Sequence, residues 1–463
     1  MKALRASVAL LLLASACGPA SAPVSSPAET SAAAKPRKDE AKATPALEPS
    51  AEEEADAQTA AMVSAMLERV AKARALPIRR SVPIKVLGRD AMLERIRETV
   101  KRDTPEAALT SQGEVLAALE LVPPEYDFVA GAFALLGGRV AGFYDPEDRT
   151  MVLADDLGEE EAAETLAHEL AHALADQTFP LEPMVKYVPG DGDRLSAVHA
   201  VIEGDATSVM LDVTVGSAFK MSEEALRLAF VASTAMSEVG AKTPRALQSS
   251  LIAPYIDGFA LVQAMRRRGD WATVDTVWRA MPESTEQLLH PDKLLSREPP
   301  EKIEVPALGK LGERGFKAVI DDVIGEQGLR IALEDWTTRA EAGTASAGWG
   351  GDRFVVAEKA MPDAPGKKQV AVAWFLRMDT AADAKEVAAV LARNFGKVCR
   401  ERPAVGPFSW ELRGRDIAVV AGPYQREGTV VAKSAGTCAD SSAWLREVWS
   451  SAPSDKKPAP ATQ

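Results

Sequence analysis

Apolar residues recur at helical spacing along most of the chain and form short strand-like runs in a few places, which predicts a mainly helical protein with a smaller share of sheet. Met62, Val63, Met66, Leu67 and Val70 make a first helical stripe that begins near Gln58 and stops before Pro77. Met92, Leu93, Ile96 and Val100 make a second, and Leu109, Val115, Leu116 and Leu119, after Thr104-Pro105, a third. Arg139–Tyr144, a turn at Asp145–Asp148 and Thr150–Ala154 predict a β-hairpin. A helix from Glu159 to Gln177 follows. A loop with Pro180, Pro183, Pro189, Gly190 and Gly192 leads to a second long helix, from about Leu195 to Val215. Helical patterns continue over 222–240, 245–268 and 270–280.

After Pro299-Pro300 the pattern changes. One helix is expected over Phe316–Arg339, strands at Arg353–Ala357 and Gln369–Leu376, a helix over 380–395, and strands at 408–412 and 415–421. The chain therefore reads as α+β: a mainly helical domain with a small β-sheet over 57–305, then a smaller α+β domain over 311–451. Residues 452–463 are a polar Pro/Lys tail, and no internal repeat is present.

Composition leaves this picture standing and narrows the partners. The 463 residues are 46% hydrophobic and 26% charged, ordinary values for a soluble globular protein. A formal net charge of −13 argues against nucleic acid, which needs clustered Lys and Arg, and against broad attraction to anionic lipid. The first residues are expected to leave the fold. Lys2 and Arg5 form a basic start, Val8 to Leu13 an apolar run, and Ala14-Ser15-Ala16-Cys17-Gly18 a small-residue close, which together make a secretory signal over 1–16. Small residues running into one Cys resemble a bacterial lipobox, which implies acylation of Cys17 and attachment to a membrane of the cell envelope. The alternative is an ordinary signal peptide cleaved nearby. Residues 17–56, rich in Ala, Pro, Ser, Glu and Lys, read as a disordered tether. With Cys17 set aside, Cys399 and Cys438 remain; in an exported chain they either pair or stay as two buried thiols.

The candidate chemistry lies in the helix after the hairpin. His168-Glu169-Leu170-Ala171-His172 is an HExxH motif, and it uses two of the chain's four histidines. Residues four apart on a helix lie about 40° apart around the axis and about 6 Å along it, so both imidazoles can reach one Zn²⁺. Glu169, next to the first, is placed to take a proton from a water at that ion. The other positions are uncharged, so the helix can be buried with this face open to a cleft.

A catalytic zinc needs a third protein ligand. The HExxHxxGxxH pattern of metzincins fails here, with Ala175 and Thr178 at its last two defined positions. Glu203, in Ala200-Val-Ile-Glu-Gly-Asp-Ala-Thr207, lies on the second long helix among apolar neighbours and resembles the downstream ligand Glu of gluzincins. The bland reading is a solvated carboxylate. Asp176 and Asp205 are candidates to orient the imidazoles, or equally helix-end and surface acids. Thr207 stands where thermolysin-like gluzincins carry their Asp. His199, one turn before Glu203, is an alternative ligand, a nearby donor or a packed His. His290 is a candidate donor to an oxyanion, with Tyr144, Tyr187 and Tyr255 as competitors, or a helix-end His before Pro291. Either Val140–Tyr144 or Met151–Ala154 is a candidate edge for pairing with extended substrate.

The order Gly-Phe-Tyr-Asp, His-Glu-Leu-Ala-His-Ala-Leu-Ala-Asp-Gln, Glu-Gly-Asp-Ala, Ser-Thr-Glu-Gln-Leu-Leu-His-Pro and Gly348-Trp-Gly-Gly-Asp-Arg353 resembles a family of bacterial exported zinc metallopeptidases with a gluzincin-type site, over about 139–353. The resemblance implies a zincin-like fold and hydrolysis of a peptide or protein substrate, with Zn²⁺ on His168, His172 and Glu203 and Glu169 as general base. The rival is a non-catalytic envelope lipoprotein, a scaffold or partner-binding module, whose zinc site is structural, serving only to stabilise the fold, or vestigial. A hydrolase acting on a non-peptide amide is a third possibility that the sequence does not separate from a peptidase.

Overall fold

Val63, Met66, Leu67 and Val70 are buried together, as their spacing requires, on α1 (Ala51–Arg74). The computed structural model describes residues 51–450 apart from 138–139, 236–237 and 429; the signal segment, the tether up to residue 50 and the C-terminal tail lie outside the described residues. The helix starts ahead of Gln58 and takes in the last residues assigned to the tether. Ala and Glu there are strong helix formers even without an apolar stripe to mark them.

β1 (Ile84–Leu87) leads to α2 (Arg89–Asp103), α3 (Glu106–Ala118) and α4 (Phe128–Gly137). The expected hairpin follows as β2 (Gly142–Asp145) and β3 (Thr150–Ala154). β1 runs parallel to β3, giving the order β1-β3-β2, so β3 is paired on both sides and, of the two hairpin strands, β2 alone lies at an edge of the sheet. That removes Met151–Ala154 as a substrate-pairing edge.

α5 (Glu159–Asp176) carries the HExxH motif, with Glu159, Glu160 and Glu161 in its first turn where the helix dipole favours acids. α6 (Leu181–Met184), α7 (Gly192–Thr214), a 3₁₀ turn at Ala218–Lys220, α8 (Glu223–Ala235) and α9 (Glu238–Lys242) come next. The patterns over 245–268 and 270–280 lie on α10 (Arg245–Arg279), which breaks at Gly269 and Asp270, the latter with φ 55°. α11 (Thr285–Leu289) and α12 (Pro291–Ser296) close this half. Leu170 and Leu174 of α5, Val198 and Val201 of α7 and Tyr255 and Ile256 of α10 share one core with the α1 stripe. α7 and α10 cross closely: a Cβ on Gly204 would sit 2.0 Å from the Gly258 carbonyl carbon, and one on Gly258 1.7 Å from the Ala200 oxygen.

The second half contains α13 (Lys310–Glu313), β4 (Lys317–Asp322), α14 (Gly325–Trp336), α15 (Arg339–Ser346), β5 (Trp349–Ala360), β6 (Lys367–Met378), α16 (Ala381–Phe395), β7 (Phe408–Arg413), β8 (Asp416–Glu427), β9 (Val430–Ser434) and α17 (Cys438–Ser450). The single helix expected over Phe316–Arg339 is corrected: its first part is β4, paired antiparallel with β5 so that Ile320 faces Val356, and the helix starts only at Gly325. β-Branched Val319 and Ile320 and an available partner strand outweigh the helical spacing. The sheet order is β4-β5-β6-β8-β7, with β9 on β8. Both faces are covered. Val356, Trp374 and Val419 meet α14 and α16 on one side, while Val355, Phe375 and Val420 meet Trp444 and Val448 of α17 on the other. Val115 and Ala118 of α3 belong to the first of these cores, so the two halves share packed interior. The fold is α+β.

Candidate metal centre

The two long helices bring the sequence-selected residues together. His168 Nε2 lies 3.1 Å from His172 Nε2 and 3.1 Å from Glu203 Oε2, and His172 Nε2 lies 3.7 Å from the same oxygen. The three side chains are buried, and Glu203 is wholly so. Two ligands about 2.1 Å from a tetrahedral zinc stand about 3.4 Å apart, so this triangle has the size that a two-His, one-carboxylate donor set needs. The donor set therefore fits a divalent zinc-like ion.

His199 completes a ring around the carboxylate. It lies one turn before Glu203 on α7 and places Nε2 3.1 Å from Oε1, leaving Oε2 to the HExxH imidazoles. Of the alternatives open in the sequence, the geometry makes it the hydrogen-bond partner of the third donor. Burial pushes the Glu203 carboxyl up, but His172, His168 and His199 outweigh it and hold the group well below the usual carboxylate range. Burial lowers His168, with Glu203 offsetting part of the effect. Burial also lowers His172, but Glu203 and Glu169 bring it out above its ordinary value.

Glu169 is buried, and its Oε2 accepts from the Tyr144 backbone N–H on the open edge of β2 at 2.8 Å. Burial pushes its carboxyl up to about 8; His172 pulls it down and Glu203 pushes it further up. The HExxH face expected to open to a cleft is closed: Thr165 to Ala175 are buried without a break.

The other candidates separate. Tyr255 of α10 is the aromatic beside the centre, its ring centroid 6.0 Å from that of His168. Tyr144 donates its hydroxyl to Asp176 at 2.9 Å, and Tyr187 faces Asp322 and Asp321. His290 is engaged elsewhere. It lies between α11 and α12, with its Nε2 2.9 Å from Glu326 Oε1 on α14. Asp176 accepts from Arg80 at 2.6 Å and from the Leu181 N–H, and Asp205 accepts from Arg74 at 2.9 Å and Trp278 at 2.6 Å. Neither Asp bonds an imidazole. Arg74 and Arg80 thus fix the acids flanking the centre, and nothing in the spacing of the sequence singled them out.

Comparison with known proteins reaches only the second half of the chain. Residues 314–441 match a family model described as a domain of unknown function (DUF8575). No curated protein and no solved structure matches the chain. The matched segment meets the start of α7, the helix that carries Glu203. Asp322 accepts from the Gly192 N–H at 2.8 Å, and Arg353 donates to the Gly190 carbonyl at 2.9 Å and pairs with Asp321. Cys399 and Cys438, also within the matched segment, form a disulfide, which decides between the two readings open in the sequence.

Proposed function

We propose that the chain is a zinc-dependent peptidase with a gluzincin-type site, in a zincin-like arrangement of α5 and α7. The observation that carries this is the buried triangle of His168, His172 and Glu203, drawn from two helices and sized for one ion, with Glu169 directly beside it. Zinc bound there would supply Lewis acidity, polarising a carbonyl and acidifying a water. The chain's own groups do the rest. Glu169 takes the proton of the attacking water and returns it to the leaving amine. His199 holds Glu203 in one orientation. Tyr255, rather than His290, is the side chain from outside the two helices that lies near the reacting centre. In the same reading the protein sits in the cell envelope, attached through lipid on Cys17; no helix among the described residues is long and apolar enough to cross a membrane.

The closed state of the HExxH face favours a second reading, a non-catalytic envelope lipoprotein with a structural zinc. Peptide hydrolysis by the purified, zinc-loaded protein beside Glu169→Gln separates the two. The peptidase reading expects one zinc per chain in both proteins and at least a 100-fold lower rate in Glu169→Gln. Zinc without hydrolysis above Glu169→Gln across a broad peptide library selects the structural reading. No zinc in wild type overturns both.

A further inference from the structure

A cavity of about 330 Å³ lies between the two halves. None of His168, Glu169, His172 and Glu203 lines it, so it stands apart from the candidate metal centre. Its floor is buried and apolar, made by Val115 of α3, Leu135 of α4, Leu251 of α10, Ile331 of α14 and Phe354 of β5. Its rim reaches solvent: Gln112, Leu116, Tyr187, Leu247 and Asp322 are half-buried, and Ser250 is exposed. Close-packed interiors leave few voids larger than a water molecule. Sites for small molecules, in contrast, are concave, mainly apolar and upward of about 300 Å³, with a few polar groups that fix orientation.

Charge and size describe the occupant. Among the described residues no Lys or Arg lines the cavity, and Asp322 is the one acid that does. A carboxylate, sulfate or phosphate entering it would give up water, find no cation and meet a negative group instead. The Asp322 Oδ1 accepts from the Gly192 and Val323 N–H groups, each at 2.8 Å, which leaves Oδ2 to accept from a ligand. Burial pushes the Asp322 carboxyl up to about 6, although those two N–H groups pull it down, so it is ionised at pH 7.5. The complement of such a rim is a head group that donates a hydrogen bond. Size sets the body. A cavity of about 150 Å³ lined by aliphatic residues holds benzene, so one of about 330 Å³ holds roughly a dozen carbon atoms.

We infer that this cavity is a second binding site, for an apolar molecule of about a dozen carbon atoms whose head group donates a hydrogen bond to Asp322 and carries no negative charge. Long-chain alcohols and alkylammonium ions share that chemistry, and fatty-acid anions lack it. The inference stands whether or not the metal centre hydrolyses peptides. It gives the segment over 314–441 a role, since that segment supplies Asp322, Ile331 and Phe354.

Isothermal titration of the purified full-length protein at pH 7.5 with 1-decanol, decylamine, 1-methoxydecane and decanoate tests it. Decanol and decylamine should bind saturably at one site per chain, and methoxydecane, which lacks the donor, and decanoate at least tenfold more weakly. The stronger of the two binders identifies the head group as neutral or cationic. Ala132→Phe and Leu247→Trp fill the cavity from α4 and from α10, and either one that melts like wild type should weaken decanol at least tenfold. Asp322→Asn keeps the acceptor for the Gly192 and Val323 N–H groups and removes the charge, so it should bring decanoate to within about threefold of decanol. Absence of decanol binding to wild type overturns the inference, as does decanoate binding as tightly as decanol. So does decanol affinity unmoved by a filling variant that folds, since the molecule then sits elsewhere. A decanol-to-decanoate ratio unchanged in Asp322→Asn removes Asp322 as the selecting group and overturns the inference equally.

Discussion

Asp205 and Glu203 are two positions apart on α7, and their surroundings give them different tasks. Glu203 is ringed by imidazoles, whereas Asp205 receives both Arg74 and the indole N–H of Trp278. The Arg74 Nη1 already lacks a partner, and its charge is buried. Removing Asp205 leaves Arg74 with its bond to Asp275 and takes the partner from the Trp278 indole, so Asp205→Ala should lose about 1–3 kcal/mol of stability, measured from urea midpoints. His199→Ala tests the other side. Loss of a group that only orients a ligand typically costs tenfold to a hundredfold in metal affinity. Chelator competition should therefore show zinc binding weakened by about that factor, and far more in Glu203→Ala. Equal losses in the two variants would make His199 a ligand. At this scale the sequence was legible where chemistry imposes a spacing, as it does on His168, Glu169 and His172. Glu203 was legible from its apolar neighbours. The partners of Asp205, Asp176 and His290 come from Arg74, Arg80 and Glu326, distant in the chain, and pairing at that range leaves no local pattern.

The helices that carry the centre are held in register by backbone contact. α7 and α10 meet at Gly204 and Gly258, where any Cβ would run into main chain that cannot move aside. Gly258→Ala should therefore push α10 away from α7, losing roughly 2–4 kcal/mol as overpacked crossings do. It should also weaken zinc binding, because Gly204 adjoins Glu203; calorimetric unfolding and zinc titration on one preparation read both effects. α1 was readable because one buried face imposes the helical period, whereas α5 and α7, buried all round over Thr165–Ala175 and Ala197–Leu211, were readable from their length and the Pro/Gly loop between them. The break at Gly269 was readable from its punctuation. β4 was not, because six residues with two β-branched neighbours fit either period, and pairing with β5 decides the outcome. The Gly348–Arg353 stretch read only as a mark of relatedness. In the fold Asp352 accepts from the Ile324 and Gly325 N–H groups and from the indoles of Trp349 and Trp374, fixing the start of α14.

Across the whole molecule, the two halves are joined by shared core and by buried carboxylates at the start of α7. The disulfide acts within the second half, tying the first residue of α17 to Cys399 across 39 positions of sequence. A closed loop of that length predicts about 4 kcal/mol from restriction of the unfolded chain, read as the difference in unfolding free energy between wild type and Cys399→Ser/Cys438→Ser. The junction itself carries a pH signature. Asp193 of α7 is buried and accepts from the Thr285 N–H and hydroxyl on α11, and Asp352 of β5 and Glu326 of α14 add negative charge nearby. Burial, with those two acids, pushes its carboxyl up to about 8, although Thr285 pulls it down. The folded protein thus holds this proton more tightly than the unfolded chain, whose Asp titrates near 4. The resulting stability is complete below about pH 4 and is lost as pH rises through about 8. Other carboxylates act in the opposite direction in acid, so the effect of Asp193 is isolated by comparison with Asp193→Asn, which keeps the neutral shape and cannot ionise. Urea midpoints should show wild type losing ground to Asp193→Asn steadily from pH 5 to about pH 8 and holding level above it. Parallel curves would mean that Asp193 is ionised in the fold and that Thr285 alone holds its charge.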